Sequence, residues 1–442
     1  VNGREDGASR RTLQNDLKQQ EYAMSKTFFG FGFGPIQNAL MLYEAYMSKN
    51  FSRFVVAEVD QAMVDAVRSN GGSYTVNIAR KNKIDRSVVK GVELYNPRDL
   101  EDRKKILAAI AESDEMATAL PSVNIFSLGD PSCADIFAKG ISQRSKDFPT
   151  IIYTAENHNH AAEILTDLLK QRMEPEKLKN VQVLNTVVGK MSGVITDMNE
   201  IKRLGLETIT PNFPRAILVE EFNRILVTKI ALPNYKRGIE VFIEKPDLLP
   251  FEEAKLYGHN AIHALIAYLA DRKGLNSIAD AGQDKEIMAI ARKAFIEESG
   301  PALIKRYAQL GDSLFTPSGY QAYADDLLER MVNPNLNDLI SRVGRDHVRK
   351  LSYDDRIYGT IRLALRYQIE PKNMALGAAA GVLSMIKRQD TFTQPVPHLP
   401  KSVSDLNEKT LKDLLMGLWG DKADQYADKM IALTWQALGQ FK

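Results

Sequence analysis

The stretch "KLYGHNAIH", residues 255–263, places an amine (Lys255), a carboxamide (Asn260) and an imidazole (His263) within nine positions of an otherwise apolar helical segment. Each of these groups costs free energy if it is buried without a partner. On an α-helix advancing about 100° per residue, Asn260 lies roughly 140° and His263 roughly 80° around from Lys255, so all three can lean towards one cleft. Removing hydride from an alcohol carbon needs a base for the hydroxyl proton and a donor for the oxygen that becomes alkoxide-like. A lysine fills the first role when desolvation and nearby positive charge lower its pKa, while Asn and His supply hydrogen bonds. Taken singly, each residue has a plainer explanation: a snorkelling lysine, an Asn near a helix start, a core histidine on a backbone carbonyl. His259 is given no role.

A second constellation, "GFGPIQ", follows a strand and opens a helix. Gly32 permits a tight turn, Gly34 lets a pyrophosphate approach the backbone, and the helix start at Pro35, Ile36 and Gln37 offers unpaired N–H groups and a positive dipole end. Gln37 stands where a third glycine is usual. Glu58 closes the next strand about 20 residues on, the place of a carboxylate that takes a ribose 2′-hydroxyl, and it would repel a 2′-phosphate. The expected cofactor is therefore NAD, with Asp60 as the N-cap of the helix beginning at Gln61. "TAEN" ends a later strand and brings Glu156 and Asn157 to the same kind of position, with helix capping as the alternative. The histidines of "HNH" at 158 and 160 do not share a helix face, so a metal site is not expected there.

The segment "RVGRDHVRKLSYDDR", 342–356, carries Arg342, Arg345, Arg349, Lys350 and Arg356. Such a run is usually a solvated face. Lining a cleft, its guanidinium forks would instead match a phosphate or carboxylate.

These residues need elements to position them. The segment "SKTFFGFGFGPIQNALMLYEAYMSKN" reads as β-turn-α, "RFVVAEVD" as a strand, and "QAMVDAVRSN" as a helix stopped by Gly71 and Gly72. "SYTVNIAR" and "SVVKGVELYN" read as an antiparallel pair, 101–112 as a helix, and "SVNIFSL", "PTIIYTAEN", "VQVLNTVVG" and "RAILVEEF" as further strands. Strands alternating with helices predict a largely parallel sheet, a Rossmann-like α/β domain over residues 25–223. From 224 to 442 every apolar segment has helical periodicity and is bounded by Gly, Pro or Asn, which predicts an all-α substrate and catalytic domain. Sites in such proteins commonly form between domains, near the carboxyl ends of strands. Residues 1–24 read as a polar extension, with Met24 a candidate natural start.

With 442 residues, two domains are the expectation. A net charge of +2, from 58 Lys+Arg against 56 Asp+Glu, gives no footprint for nucleic acid or a membrane surface. The single cysteine, Cys133, cannot form an internal disulfide, and no signal peptide or spanning segment is visible, which points to the cytoplasm.

Together these motifs resemble the polyol-specific long-chain dehydrogenases, the mannitol dehydrogenase family. "KLYGHNAIH" meets that family's signature of Lys, four residues, Asn, two residues, His, and the likeness extends through "GFGPIQ", "VVAEVD", "TAEN", "NTVVGKM", "IARKAFIEESGPALIKRY" and "NPNLNDLISRVGRDHVRKLSYDDR". The resemblance implies Lys255 as general base, Asn157 and Asn260 as the pair that polarises the reacting oxygen, and His263 as a substrate-orienting residue. It also implies Arg342 and Lys350 as holders of polyol hydroxyls, NAD or NADP without zinc, and a monomer or dimer. Arg345 and Arg349 are read here as partners for a phosphate on the substrate. The expected reaction interconverts a sugar-alcohol phosphate and a ketose phosphate, mannitol 1-phosphate and fructose 6-phosphate. A free polyol or a hexuronate (tagaturonate, fructuronate) is the alternative within that class. The alternative outside it is a non-catalytic dinucleotide-binding regulator, which would have no need of a base.

Overall fold

A computed structural model describes residues 26–144 and 148–441, which form two compact units, one running through Leu248 and the other starting at Leu249. The polar extension 1–24 lies outside the described residues.

In the first unit β1 (Lys26–Phe31), β2 (Phe51–Ala57), β5 (Val92–Tyr95), β6 (Glu115–Thr118), β7 (Thr150–Thr154) and β8 (Val181–Val187) join in parallel. With β11 (Leu226–Thr228) and β12 (Ile243–Lys245) the order is β12-β11-β8-β7-β6-β1-β2-β5, and only the β8–β11 pair is antiparallel. The order reverses beside β1, which is where open α/β sheets bind ligands. Alternate residues of β1 serve opposite faces. Phe29 and Phe31 pack with Phe137, Ile106 and Leu165 from the helices Cys133–Ser142, Leu100–Glu112 and Ala161–Lys170, whereas Phe28 joins Leu40, Val64 and Tyr74. A sheet covered on both faces explains why its strands read as unbroken apolar runs.

A second sheet, β4-β3-β10-β9, is built from β3 (Tyr74–Ala79), β4 (Ile84–Val89), β9 (Ser192–Ile195) and β10 (Ala216–Glu220). It corrects three expectations. "SVVKGVELYN" is divided: β4 is the hairpin partner of β3, but β5 crosses to the main sheet beside β2. "RAILVEEF" supplies β10 of the smaller sheet. "SVNIFSL" is a 3₁₀ turn, Val123–Phe126, because the Ser122 side chain accepts the Asn124 N–H and nucleates it; the strand beside β1 is "EMAT". The boundary expected after Asn223 also falls short, since β11 and β12 extend the main sheet.

The second unit is helical. Its central helix, Ala261–Arg272, is buried along almost its whole length and packs against Lys372–Lys387, whose Gly377 and Gly381 admit Leu265 and Tyr268 at distances a Cβ would not allow. Ala427–Gly439 packs on the same helix. The α/β-then-α architecture is thus as expected.

Gly72 locks the hairpin sheet to the main sheet. Its φ is +69°, Val92 N–H donates to its carbonyl at 2.9 Å, and a Cβ would sit 2.6 Å from the Val92 oxygen. Gly72→Ala combines left-handed strain with a backbone collision, so the denaturant midpoint of the first unit should fall, by about 1–3 kcal/mol of stability.

Candidate functional site

The glycine turn of the first unit is held from three sides. Gly32 has φ +85° and donates its N–H to the Ala57 carbonyl at 2.8 Å, while a Cβ there would lie 3.0 Å from the Ala119 oxygen. Glu58 accepts the Phe33 N–H (2.7 Å) on one oxygen and the Asp60 N–H (2.8 Å) on the other, tying the end of β2 to the turn. Asn38 Nδ2 donates to the Phe33 carbonyl at 2.8 Å, and the Tyr74 hydroxyl donates to the Asn38 carbonyl. Gly34 has open space where a Cβ would stand, and the helix opens at Pro35 and Ile36, whose turn leaves backbone donors without an earlier carbonyl. Pro35 brings no N–H and can only pack.

The Gln37 side chain packs inward, while the role expected of this residue rests on its backbone N–H at the helix start. Its side chain is fully buried under β1, and a Cβ on Gly30 would fall 2.0 Å from its Nε2. The close approach of helix to strand is therefore obtained from a glycine in the strand, not in the helix. Asp60 caps Gln61–Ser69 as expected, accepting the Met63 N–H at 3.4 Å, and its second oxygen stands 3.4 Å from Arg215. Glu156, also expected as a cofactor ligand, is 5% exposed and accepts from Thr118 Oγ1 (2.9 Å) and the Leu120 N–H (2.8 Å). Its role is to join the ends of β6 and β7, and burial raises its carboxyl above the usual range. Asn157, next in sequence, is exposed at that same carboxyl edge.

In the second unit, Lys255 and Asn260 do not lie on an α-helix. Ala254–Asn260 is a π turn between the α-helical segments Leu249–Glu253 and Ala261–Arg272. This corrects the angular estimate made at 100° per residue. In a π turn residue i bonds residue i+5, so the five-residue spacing stacks Asn260 above Lys255, and His263 follows three residues later on the next α turn. Gly258 makes room for this: a Cβ would meet Tyr320 Oη at 2.8 Å and Phe295 Cε2 at 3.0 Å. The Tyr257 carbonyl, displaced from the regular ladder, accepts from Ser299 Oγ (2.8 Å) and faces Thr360 Oγ1 at 3.2 Å.

Lys255 is half-buried and, among the described residues, has no carboxylate at ion-pair distance. Burial first, and the Arg356 charge second, lower its pKa to about 8, against a smaller upward pull from Glu252. His263 Nε2 lies 3.0 Å from Asp338 Oδ2. Asp338 is 4% exposed, and its other oxygen accepts Arg342 Nη2 (2.6 Å) and Nε (3.0 Å). Burial would raise this carboxyl, but His263 and Arg342 outweigh it and hold it below the usual value. His259 is buried, 6.1 Å from the His263 ring, and is kept neutral chiefly by burial.

The basic segment divides. Arg342 is engaged by Asp338, and Arg349 pairs with Asp346 (2.5 Å) and Asp355 (3.6 Å). Arg356 pairs with Asp355 at 2.7 Å. Lys350 is buried and donates to the Val343 carbonyl; burial, then Arg356 and Arg349, lower its pKa to about 7. Arg345 is exposed and lines a different hollow. Asp338 and Arg356 were not assigned roles from sequence. The Asp338–Arg342 spacing of four could have revealed the first; nothing local marks the second, which reaches Lys255 only through the fold. Among the described residues no group of three His, Cys, Asp or Glu is arranged to hold a metal, and no helix is long and apolar enough to cross a membrane.

Residues 247–416 match the mannitol dehydrogenase C-terminal domain family. Similar curated proteins include mannitol-1-phosphate 5-dehydrogenases of Caldanaerobacter subterraneus subsp. tengcongensis, 29% identical over 80% of this chain and 85% of the relative, and of Anoxybacillus flavithermus, 28% identical over 80% and 86%. Among solved structures, a D-sorbitol dehydrogenase in substrate-free form superposes with a TM-score of 0.71 at 14% identity, covering 94% of this chain and 93% of the other. The Pseudomonas fluorescens mannitol 2-dehydrogenase ternary complex with NAD and D-mannitol gives 0.66 at 15%, covering 94% and 92%. The solved structures share the fold, and the resemblance to the polyol-specific long-chain dehydrogenases is borne out.

A buried lysine whose folded pKa lies below its unfolded value opposes folding while it is charged. For Lys350 that penalty is full below about pH 7 and is relieved between pH 7 and the ordinary lysine range. Stability of the second unit should therefore rise across that window, by at most about 1.4 kcal/mol per pH unit, and Lys350→Met should flatten the rise in denaturant titrations at successive pH values.

Proposed function

We propose that this chain is an NAD-dependent oxidoreductase that interconverts a sugar-alcohol phosphate and a ketose phosphate, mannitol 1-phosphate and fructose 6-phosphate, without a metal ion. The observation that carries the reading is the π turn that turns Lys255 and Asn260 towards one side of the helix, with the Lys255 amine depressed to about 8. The substrate follows from the relatives named as mannitol-1-phosphate 5-dehydrogenases. Cytoplasmic location and a monomeric or dimeric state belong to the same proposal.

The backbone of Gly32 and Gly34 and the helix opening at Pro35 and Ile36 fit a pyrophosphate. Glu58 keeps acceptor capacity for a ribose hydroxyl and disfavours a 2′-phosphate. Bound NAD supplies the hydride acceptor. Lys255, neutral, takes the hydroxyl proton of the substrate as the C–H bond gives up its electron pair and the C=O bond forms. Asn260, with Asn157, donates amide N–H groups to that oxygen. His263, beside Asp338, orients an adjacent hydroxyl, Lys350 holds a further hydroxyl, and the donors of Arg349 left over from its ion pairs face the anionic end of the substrate.

Lys255 must be unprotonated to act, so polyol oxidation should climb with pH and level off above about 8. Below that value it should fall tenfold per unit; ketose reduction, which needs the protonated amine, should fall above it. Lys255→Met should lower kcat by at least about 10²-fold with NAD affinity, measured by fluorescence quenching, nearly unchanged. A mutant as active as wild type would remove the amine from the reaction and favour a non-catalytic binder.

The basic segment suits a carboxylate as well as a phosphate, so a related polyol or hexuronate oxidoreductase is the second reading. NADH oxidation assayed with fructose 6-phosphate, fructose, tagaturonate and fructuronate separates these. Fructose 6-phosphate should give the highest kcat/KM, and turnover confined to the hexuronates would reject the phosphate substrate.

A further inference from the structure

We propose that the helical unit carries a second, separate site that binds a phosphate monoester, with Arg345 as its principal charge. A hollow of about 640 Å³ opens on this unit, within the size range of small-molecule sites, and neither Lys255, Asn260 nor His263 borders it. Its lining includes Ser341, Arg345, Arg388 and the buried His347, together with apolar Phe392 and Val396, and the His347 and Phe392 rings lie 5.9 Å apart.

The charges on this hollow are unevenly compensated. Arg388 is anchored from behind by Asp271, whose second oxygen accepts Ser384 Oγ at 2.7 Å, and Ser384 Oγ lies 2.9 Å from His347 Nε2. The Tyr268 ring stacks on His347 at 5.5 Å, so the floor is fixed by packing as well as by hydrogen bonds. Asp346, the one carboxylate on the rim, is engaged by Arg349. Arg345 is left with no carboxylate partner among the described residues, so the hollow is lined by one uncompensated guanidinium and by a second that Asp271 holds in place. His347 does not add to this charge, because burial foremost lowers its pKa to about 4.

A hollow lined by two guanidinium groups and an aromatic ring suits a phosphoryl group carrying a compact apolar or ring-shaped body. Arg345 was expected on sequence grounds to hold the phosphate of the reacting substrate. The geometry assigns it to this other hollow, and the assignment is independent of the reaction proposed for Lys255.

Phenyl phosphate, inorganic phosphate and citrate, titrated calorimetrically into the full chain, test this. Phenyl phosphate should bind more tightly than the other two. Arg345→Met should weaken it at least tenfold, Phe392→Ala should erase its advantage over inorganic phosphate, and Lys255→Met should leave its binding unchanged. Failure of the wild-type chain to bind phenyl phosphate, indifference to Arg345→Met, loss of binding in Lys255→Met, or a preference for citrate would each overturn the proposal.

Discussion

A lysine that is to accept a proton near neutral pH must be kept from water and from carboxylates, and yet remain at the surface of a site. The helical unit meets this condition through one irregularity in its central helix. The π turn at Ala254–Asn260 widens the helix by a residue, and its Tyr257 carbonyl accepts from the hydroxyl of a distant segment, Ser299, while Thr360, which donates to the Arg356 carbonyl, lies beside it. Without such donors a buried carbonyl outside the ladder would cost roughly 1–3 kcal/mol and the turn would tend to relax to α geometry. Lys255 and Asn260 would then lie on different sides of the helix. The placement of Lys255 and Asn260 on the helix thus involves groups that belong to neither residue.

The same pattern recurs one turn later. His263 Nε2 stands 3.0 Å from Asp338 Oδ2 without hydrogen-bond alignment, and Asp338 is held by Arg342, so an arginine read from sequence as a substrate ligand is engaged first by the carboxylate beside His263. In the first unit Glu58 and Glu156 do comparable work. Each uses its oxygens on backbone N–H or hydroxyl donors at the carboxyl ends of neighbouring strands, Glu58 shaping the glycine turn and Glu156 the loop after β6. Carboxylates at that edge therefore define the backbone that a cofactor would meet. Glu58 is half-buried where Glu156 is fully buried.

The parts legible in the chain alone were those that depend on short-range periodicity or fixed spacing. Alternation and helical period disclosed the parallel strands and the helical second half because burial on one face or two is written in neighbouring residues. Lys255, Asn260 and His263 were found by their spacing, and the glycine turn by its place after an aromatic strand. Partners were not legible. The Asp338 contact to His263, the Arg356 charge near Lys255 and the inward turn of Gln37 beneath Gly30 join residues far apart, or turn on which way a side chain points.

What the sequence determined by itself is the set of chemical groups and their order: an amine, a carboxamide and an imidazole at five- and three-residue intervals, and glycines before a helix. What only the tertiary structure decided is how those intervals are spent. A five-residue interval means well-separated sides on an α turn and nearly one side on a π turn, and the π turn is met by groups no local pattern connects to it, the Ser299 hydroxyl on the Tyr257 carbonyl and the Tyr320 and Phe295 rings against Gly258. Likewise the five cations of 342–356 are a uniform run in sequence. Their carboxylate partners Asp338, Asp346 and Asp355 stand within four residues, but packing decides that Asp338 also meets His263, that Lys350 is buried on the Val343 carbonyl, that the Arg356 charge reaches Lys255 and that Arg345 is left without a partner among the described residues.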